Sequence, residues 1–180
     1  MRALNVLEGA KGTVYLRRKI DRFLLDWKAD SNRKPLIVKG SRQVGKTAAI
    51  RHFASANYRS VVEINFVENP KYRAITQNGY SVDEVVKSMS LLDPTRCFIP
   101  HETLIFFDEI QDHPDIATTL KFFRQDGRFD VICSGSMLGI NYRTIESNSV
   151  GYKTDYEMHS LDFEEFLWAK GYDSDTVESM

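Results

Sequence analysis

The stretch "LIVKGSRQVGKT", Leu36 to Thr47, runs an apolar strand straight into a glycine and places a lysine and a hydroxyl directly after a second glycine. Gly40-x-x-x-x-Gly45-Lys46-Thr47 fits the phosphate-binding loop pattern. A backbone wrapped around a polyphosphate must turn its N–H groups inward, through conformations that glycine adopts without strain. The stretch Gly40, Ser41, Arg42, Gln43, Val44, Gly45, Lys46 and Thr47 is therefore the candidate nucleotide cradle. A helix opening near Lys46 would point free N–H groups and the positive end of its dipole at a phosphate. Lys46 adds a point charge for the β- and γ-phosphates, and Thr47 offers a hard oxygen to Mg²⁺.

Outward from this loop, periodicity predicts strands at Leu36–Val38, Val61–Val67, Thr103–Phe107, Phe129–Cys133 and Tyr156–Leu161. Helices are expected at Tyr15–Ala29, Lys46–Ala56, Ser81–Leu92, Pro114–Gln125 and Phe163–Lys170. Ser81 with Glu84, and Asp162 with Glu165, have capping-box spacing, and Asn69-Pro70 reads as a helix start. Strands alternating with helices imply an α/β fold of three layers, with a mostly parallel five-stranded sheet covered on both faces.

The second motif is "LIFFDEIQ", Leu104 to Gln111. Asp108 and Glu109 leave the C-terminal end of a buried strand, where ligands sit in open α/β sheets. Asp108 can hold Mg²⁺ directly or through water, and Glu109 can polarise an attacking water; an ordinary acidic turn is the plain alternative. The third is "VICSGSM", Val131 to Met137, whose Ser134 and Ser136 could reach a γ-phosphate or the water that attacks it. The strand Val61–Val67 lies in the chain between the two motif strands and is expected to separate them in the sheet. With no N-K-x-D guanine motif present, ATP is favoured over GTP.

The chain has 180 residues, 42% hydrophobic and 27% charged, with a net charge of −1, so bulk electrostatics draw it to neither nucleic acid nor an acidic membrane. Arg17, Arg18, Lys19 and Arg22 on the first helix could touch a phosphate backbone, and a solvated face is the blander reading. No apolar run is long enough to cross a membrane, and Met1–Lys11 lacks the apolar core of a signal peptide. Cys97 and Cys133 have no paired spacing, so free thiols in a reducing cytoplasm are expected. With His52, His101, His113 and His159 they also form no zinc-ligand spacing.

Taken together, "KGSRQVGKT", "TLIFFDEIQ", "ICSGSML" and "YEMHSLDFEEFL" resemble the bacterial and archaeal AAA+-type ATPases of the AAA_14 group, over Tyr15 to Gly171. The resemblance implies ATP binding, Mg²⁺ and weak, regulated hydrolysis. It implies Gly40, Gly45, Lys46 and Thr47 as nucleotide ligands, Asp108 as the Mg²⁺ residue, Glu109 as the base and Ser134 as a sensor. The group usually has Gly-Arg before its last strand; here Gly151-Tyr152-Lys153 stands there, leaving Arg143 or Lys153 as substitutes. Members usually continue into lid helices and a C-terminal domain of the DUF4143 type, the expected partner of this core alongside a protein client. The expected organisation is an N-terminal amphipathic helix and linker over 1–34, an ATPase core over 35–171 without its lid, and a tail over 172–180. Three functions follow: an ATP hydrolase driving an attached domain, a nucleotide-gated interaction module with negligible turnover, or a nucleic-acid-associated ATPase.

Overall fold

A computed structural model describes residues 7–8, 14–136 and 141–172. Most of 1–13, Met137 and Leu138 of "ICSGSML", and the 172–180 tail beyond its first residue lie outside the described residues. The elements are β1 (Leu7–Glu8), β2 (Val14–Tyr15), α1 (Lys19–Ala29), β3 (Leu36–Lys39), α2 (Lys46–Asn57), β4 (Ser60–Asn65), α3 (Val82–Leu92), β5 (Thr103–Asp108), α4 (Ile116–Asp126), β6 (Asp130–Gly135), α5 (Asn141–Ser149), β7 (Thr154–Glu157) and α6 (Phe163–Ala169). Short 3₁₀ turns cover Pro70–Thr76, where the Asn69-Pro70 start was expected, and Ile110–Asp112.

β1 and β2 form a separate antiparallel pair. The other five strands make one sheet in the order β4-β5-β6-β3-β7, every neighbour parallel. The two motif strands, β3 and β5, are indeed kept apart, but not by the strand that lies between them in the chain. β4 goes to the edge, and β6 inserts between β5 and β3. A right-handed crossover can skip a position, so chain order alone does not determine sheet order.

The period of two sorts the strand residues onto two faces. Leu36, Val38, Leu104, Phe106 and Ile132 join Ile20, Leu24, Ile50 and Phe53 of α1 and α2 in one core. Ile37, Ile105, Phe107, Val131 and Cys133 join Val85, Met89, Leu120 and Phe123 of α3 and α4 in the other. A helix layer thus lies on each face of the sheet.

Most boundaries lie within two residues of the sequence expectation, and three elements depart from it further. α1 starts at Lys19 rather than Tyr15, because the Asp21 carboxylate accepts from the Arg18 N–H (2.8 Å) and from the Tyr15 hydroxyl, which stops the helix there. β7 covers Thr154–Glu157 rather than Tyr156–Leu161, since it matches β3 residue for residue from Leu36↔Thr154 to Lys39↔Glu157. α5 was not expected; its polar sequence includes Ile145, which is buried and docks on the second core. The Asp162/Glu165 capping box forms in full, with Asp162 accepting from Glu165 N at 2.9 Å and Glu165 from Asp162 N at 3.2 Å. At Ser81 only half of the box forms, since Ser81 Oγ accepts from Glu84 N but the Glu84 carboxylate takes the Ser81 hydroxyl in place of its backbone N–H.

Phe106 is fully buried at the centre of the α1/α2 face. Phe106→Ala is expected to lower the unfolding free energy by about 3–5 kcal/mol in urea titrations followed by circular dichroism. A loss under about 1 kcal/mol would show that this face is not close-packed.

Candidate functional site

Strand register builds the site. β4 and β5 pair Asn65 with Asp108, and β5 and β6 pair Phe107 with Cys133, so one residue further on Asp108 and Ser134 stand abreast. Asn65, Asp108 and Ser134 therefore form a polar row along the C-terminal edge of the sheet. Beside it, β3 leads into the glycine loop, and α2 begins at Lys46.

Asp108 is only 2% exposed, yet its carboxylate has several donors. Thr47 Oγ1 donates to Oδ2 at 3.0 Å and Asn65 Nδ2 to the same oxygen at 3.2 Å. Ser134 Oγ and the Glu109 N–H (3.1 Å) donate to Oδ1. A carboxylate that far from water needs such donors. Ser134 is fully buried, so its hydroxyl is spent on Asp108 instead of facing the open side of the loop. Asn65 was not singled out from the sequence; its polar side chain within the alternating run "VVEINFV" was its one signal.

Glu109 has φ 57° and ψ 47°, a left-handed conformation uncommon outside glycine. Gln43, in the glycine loop, has φ 64°, and only His101 joins these two among the described non-glycine residues. Backbone strain of this kind gathers at functional sites. Gln111, which the sequence reading also left without a role, donates from Nε2 to Glu109 Oε2 and accepts at Oε1 from the Ser136 N–H at 3.1 Å.

Within the loop, Lys46 is buried and its Nζ donates to the Gly40 and Ser41 carbonyls at 3.0 and 2.7 Å. Burial pushes the Lys46 pKa below the ordinary lysine range, while Glu109 and then Asp108 work against that shift. Ser41, Arg42 and Gln43 are exposed, whereas the Val44 side chain is buried in the α1/α2 core, which leaves Val44 only its backbone to offer a ligand. Thr47 Oγ1 and Asp108 Oδ2, 3.0 Å apart, suit Mg²⁺. Adjacent ligands of an octahedral ion at about 2.1 Å stand ~3.0 Å apart.

The expected cations fare differently. Lys153 is enclosed and paired with Glu146 (3.0 Å) and Asp155, so it is not a charge that could be presented outward. Arg143 is exposed on α5. On α1, Arg18 is buried and Lys19 pairs with Asp162 and Glu164 at 2.6 and 2.7 Å, so the basic stretch is not one solvated face. A hollow bordered by Trp27, Arg33, His101, Arg124 and Asp130 lies at the opposite, N-terminal ends of the strands. There Arg33 is committed to Asp130 at 2.7 Å.

Gly40 has φ 153°, and a Cβ built there would stand 2.1 Å from the Met158 carbonyl oxygen. Gly40→Ala must push the loop off Met158, just after β7, and is expected to cost about 1–3 kcal/mol of stability, read from the urea midpoint. An unchanged midpoint would show that the loop is not seated on Met158.

The family model for the AAA domain, AAA_14, matches residues 32–167. No curated protein matches the chain. Among solved structures, a closed-state cryo-EM reconstruction of Hsp104 with ATPγS and FITC-casein aligns at a TM-score of 0.55 and 16% identity, over 84% of this chain and 28% of that one. C. elegans PCH-2 aligns at a TM-score of 0.48 and 10% identity, over 78% of this chain and 41% of that one. The chain thus spans less than half the length of either. The Hsp104 match is to the fold, and it agrees with the all-parallel sheet described above. The match over most of its length places this chain in the AAA_14 family of AAA domains, as a core of the nucleotide-binding ATPase type.

Proposed function

We propose that the chain binds ATP with Mg²⁺ and hydrolyses it, and that turnover changes the conformation of an attached domain or a protein partner, in the cytoplasm. The observation that carries this reading is the convergence of Lys46, Thr47, Asp108 and Glu109, from two different strand ends, on one edge of the sheet. When bound, Mg²⁺ would neutralise charge on the β- and γ-phosphates. The loop N–H groups and the α2 N-terminus would hold the phosphates. Lys46 Nζ would exchange the Gly40 and Ser41 carbonyls for phosphate oxygens. Thr47 and Asp108 would hold the ion, with Asn65 and Ser134 keeping the Asp108 carboxylate in place. Glu109 would orient the attacking water and take its proton.

One observation favours a second reading, a nucleotide-gated module with negligible turnover. The Glu109 carboxylate is already bonded to the Gln111 amide, and it must leave that partner, or share it, to act as a base. A nucleic-acid role has less support, since Arg18 and Lys19 are engaged within the chain.

Lys46→Ala is expected to weaken binding of a fluorescent ATP analogue at least tenfold in the presence of Mg²⁺, and equal affinity would sink the nucleotide assignment. Glu109→Gln should still bind ATP but hydrolyse it about 10²–10⁴-fold more slowly per bound nucleotide. Hydrolysis at the parent rate would make the gated module the better reading. Asp108→Asn should instead reduce the dependence of affinity on Mg²⁺.

A further inference from the structure

We infer that Arg18 is a positioning residue for the phosphate loop, linking it to the segment between β7 and α6. The inference rests on nucleotide binding at that loop. Arg18 is 8% exposed; its two Nη atoms are hydrogen-bonded, and its Nε is held by an ion pair without hydrogen-bond geometry. Nη1 donates to the Val44 carbonyl at 2.9 Å, Nη2 donates to the His159 carbonyl at 2.8 Å, and Nε lies 3.1 Å from Glu165 Oε2. Glu165, 4% exposed, also accepts from the Lys19 N–H at 2.8 Å through Oε1 and from the Asp162 N–H at 3.2 Å through Oε2.

The Val44 carbonyl belongs to the peptide that carries the Gly45 N–H. No cis peptide occurs among the described residues, so that N–H points opposite to the carbonyl. A donor fixed on the carbonyl therefore sets the direction of the N–H. Gly45 has φ 98° and opens α2, where free N–H groups are offered to an anion. Without Arg18, the buried Val44 side chain would be the remaining restraint on this peptide plane, because Gly45 has no side chain to limit its φ.

Both ends of the loop rest on the same support. A Cβ on Gly45 would meet Arg18 Nη1 at 3.3 Å, and one on Gly40 would collide with the Met158 carbonyl. Met158 in turn donates its N–H to the Lys39 carbonyl at 2.7 Å, just before the loop begins. Glu165 balances the Arg18 charge, so the contribution to phosphate binding is orientation and not added positive potential. Lysine cannot replace this arrangement, since it lacks the planar fork that reaches two carbonyls and a carboxylate at once.

Removing one member of a buried ion pair strands the other, so the test changes both. Arg18→Met with Glu165→Gln keeps the packing and the acceptor for the Lys19 N–H but removes both charges and the donors to Val44 and His159. Affinity for Mg²⁺ and a fluorescent ATP analogue is measured beside the urea midpoint, on the parent and the double variant. The expected result is an affinity at least tenfold weaker without urea, where the midpoint shows the double variant to be fully folded even if that midpoint is lowered; a merely structural role would leave the affinity of the folded variant unchanged. Parent-like affinity in the folded double variant overturns the inference and leaves the nucleotide assignment standing. A parent that binds no nucleotide overturns both. If the double variant does not fold, Arg18→Lys decides, since it keeps a charge opposite Glu165: weakened binding supports the inference, and unchanged binding overturns it.

Discussion

The buried carboxylate of Asp108 is the constraint on which the site depends. A charge 2% exposed is tolerated only when its oxygens are hydrogen-bonded. Its donors come from α2, β4, β6 and the turn after β5. Those contacts require Asn65, Asp108 and Ser134 to stand at one level near the ends of their strands, so the register of three strands and the charge of one residue are a single requirement. The same contacts bring Thr47 to within a metal-sharing distance of Asp108.

The loop beside it supplies partners for its own lysine. Lys46 caps two carbonyls of its own loop, and Gln43 and Glu109 hold left-handed backbone conformations. A cradle built this way has its donors arranged in advance, so a ligand replaces existing partners without having to order the chain.

The segment that follows the last strand supports the loop from below. Asp162 and Glu165 look from the sequence like a helix cap, and they are one, but Glu165 also holds Arg18, which holds Val44. Lys39, Lys153, Glu146 and Asp155 form a second charge cluster at the β3–β7 edge. Lysines at that edge thus bind strands together.

What the sequence determined by itself is whatever short spacing encodes. The glycine loop, the acidic pair after an apolar run, the Asp162/Glu165 capping box and the alternation of the first four sheet strands are local patterns, and they formed where they were read. What only the tertiary structure decided are the contacts between residues far apart in the chain. The insertion of β6 between β3 and β5, the place of Asn65 beside Asp108, the burial of Arg18 against His159, and the enclosure of Lys153 by two carboxylates have no local signature. A charged residue on an amphipathic helix looks the same in sequence whether water or a buried carboxylate faces it. The packing of elements far apart in the chain determines which of the two it meets, as where the start of α1 meets α6.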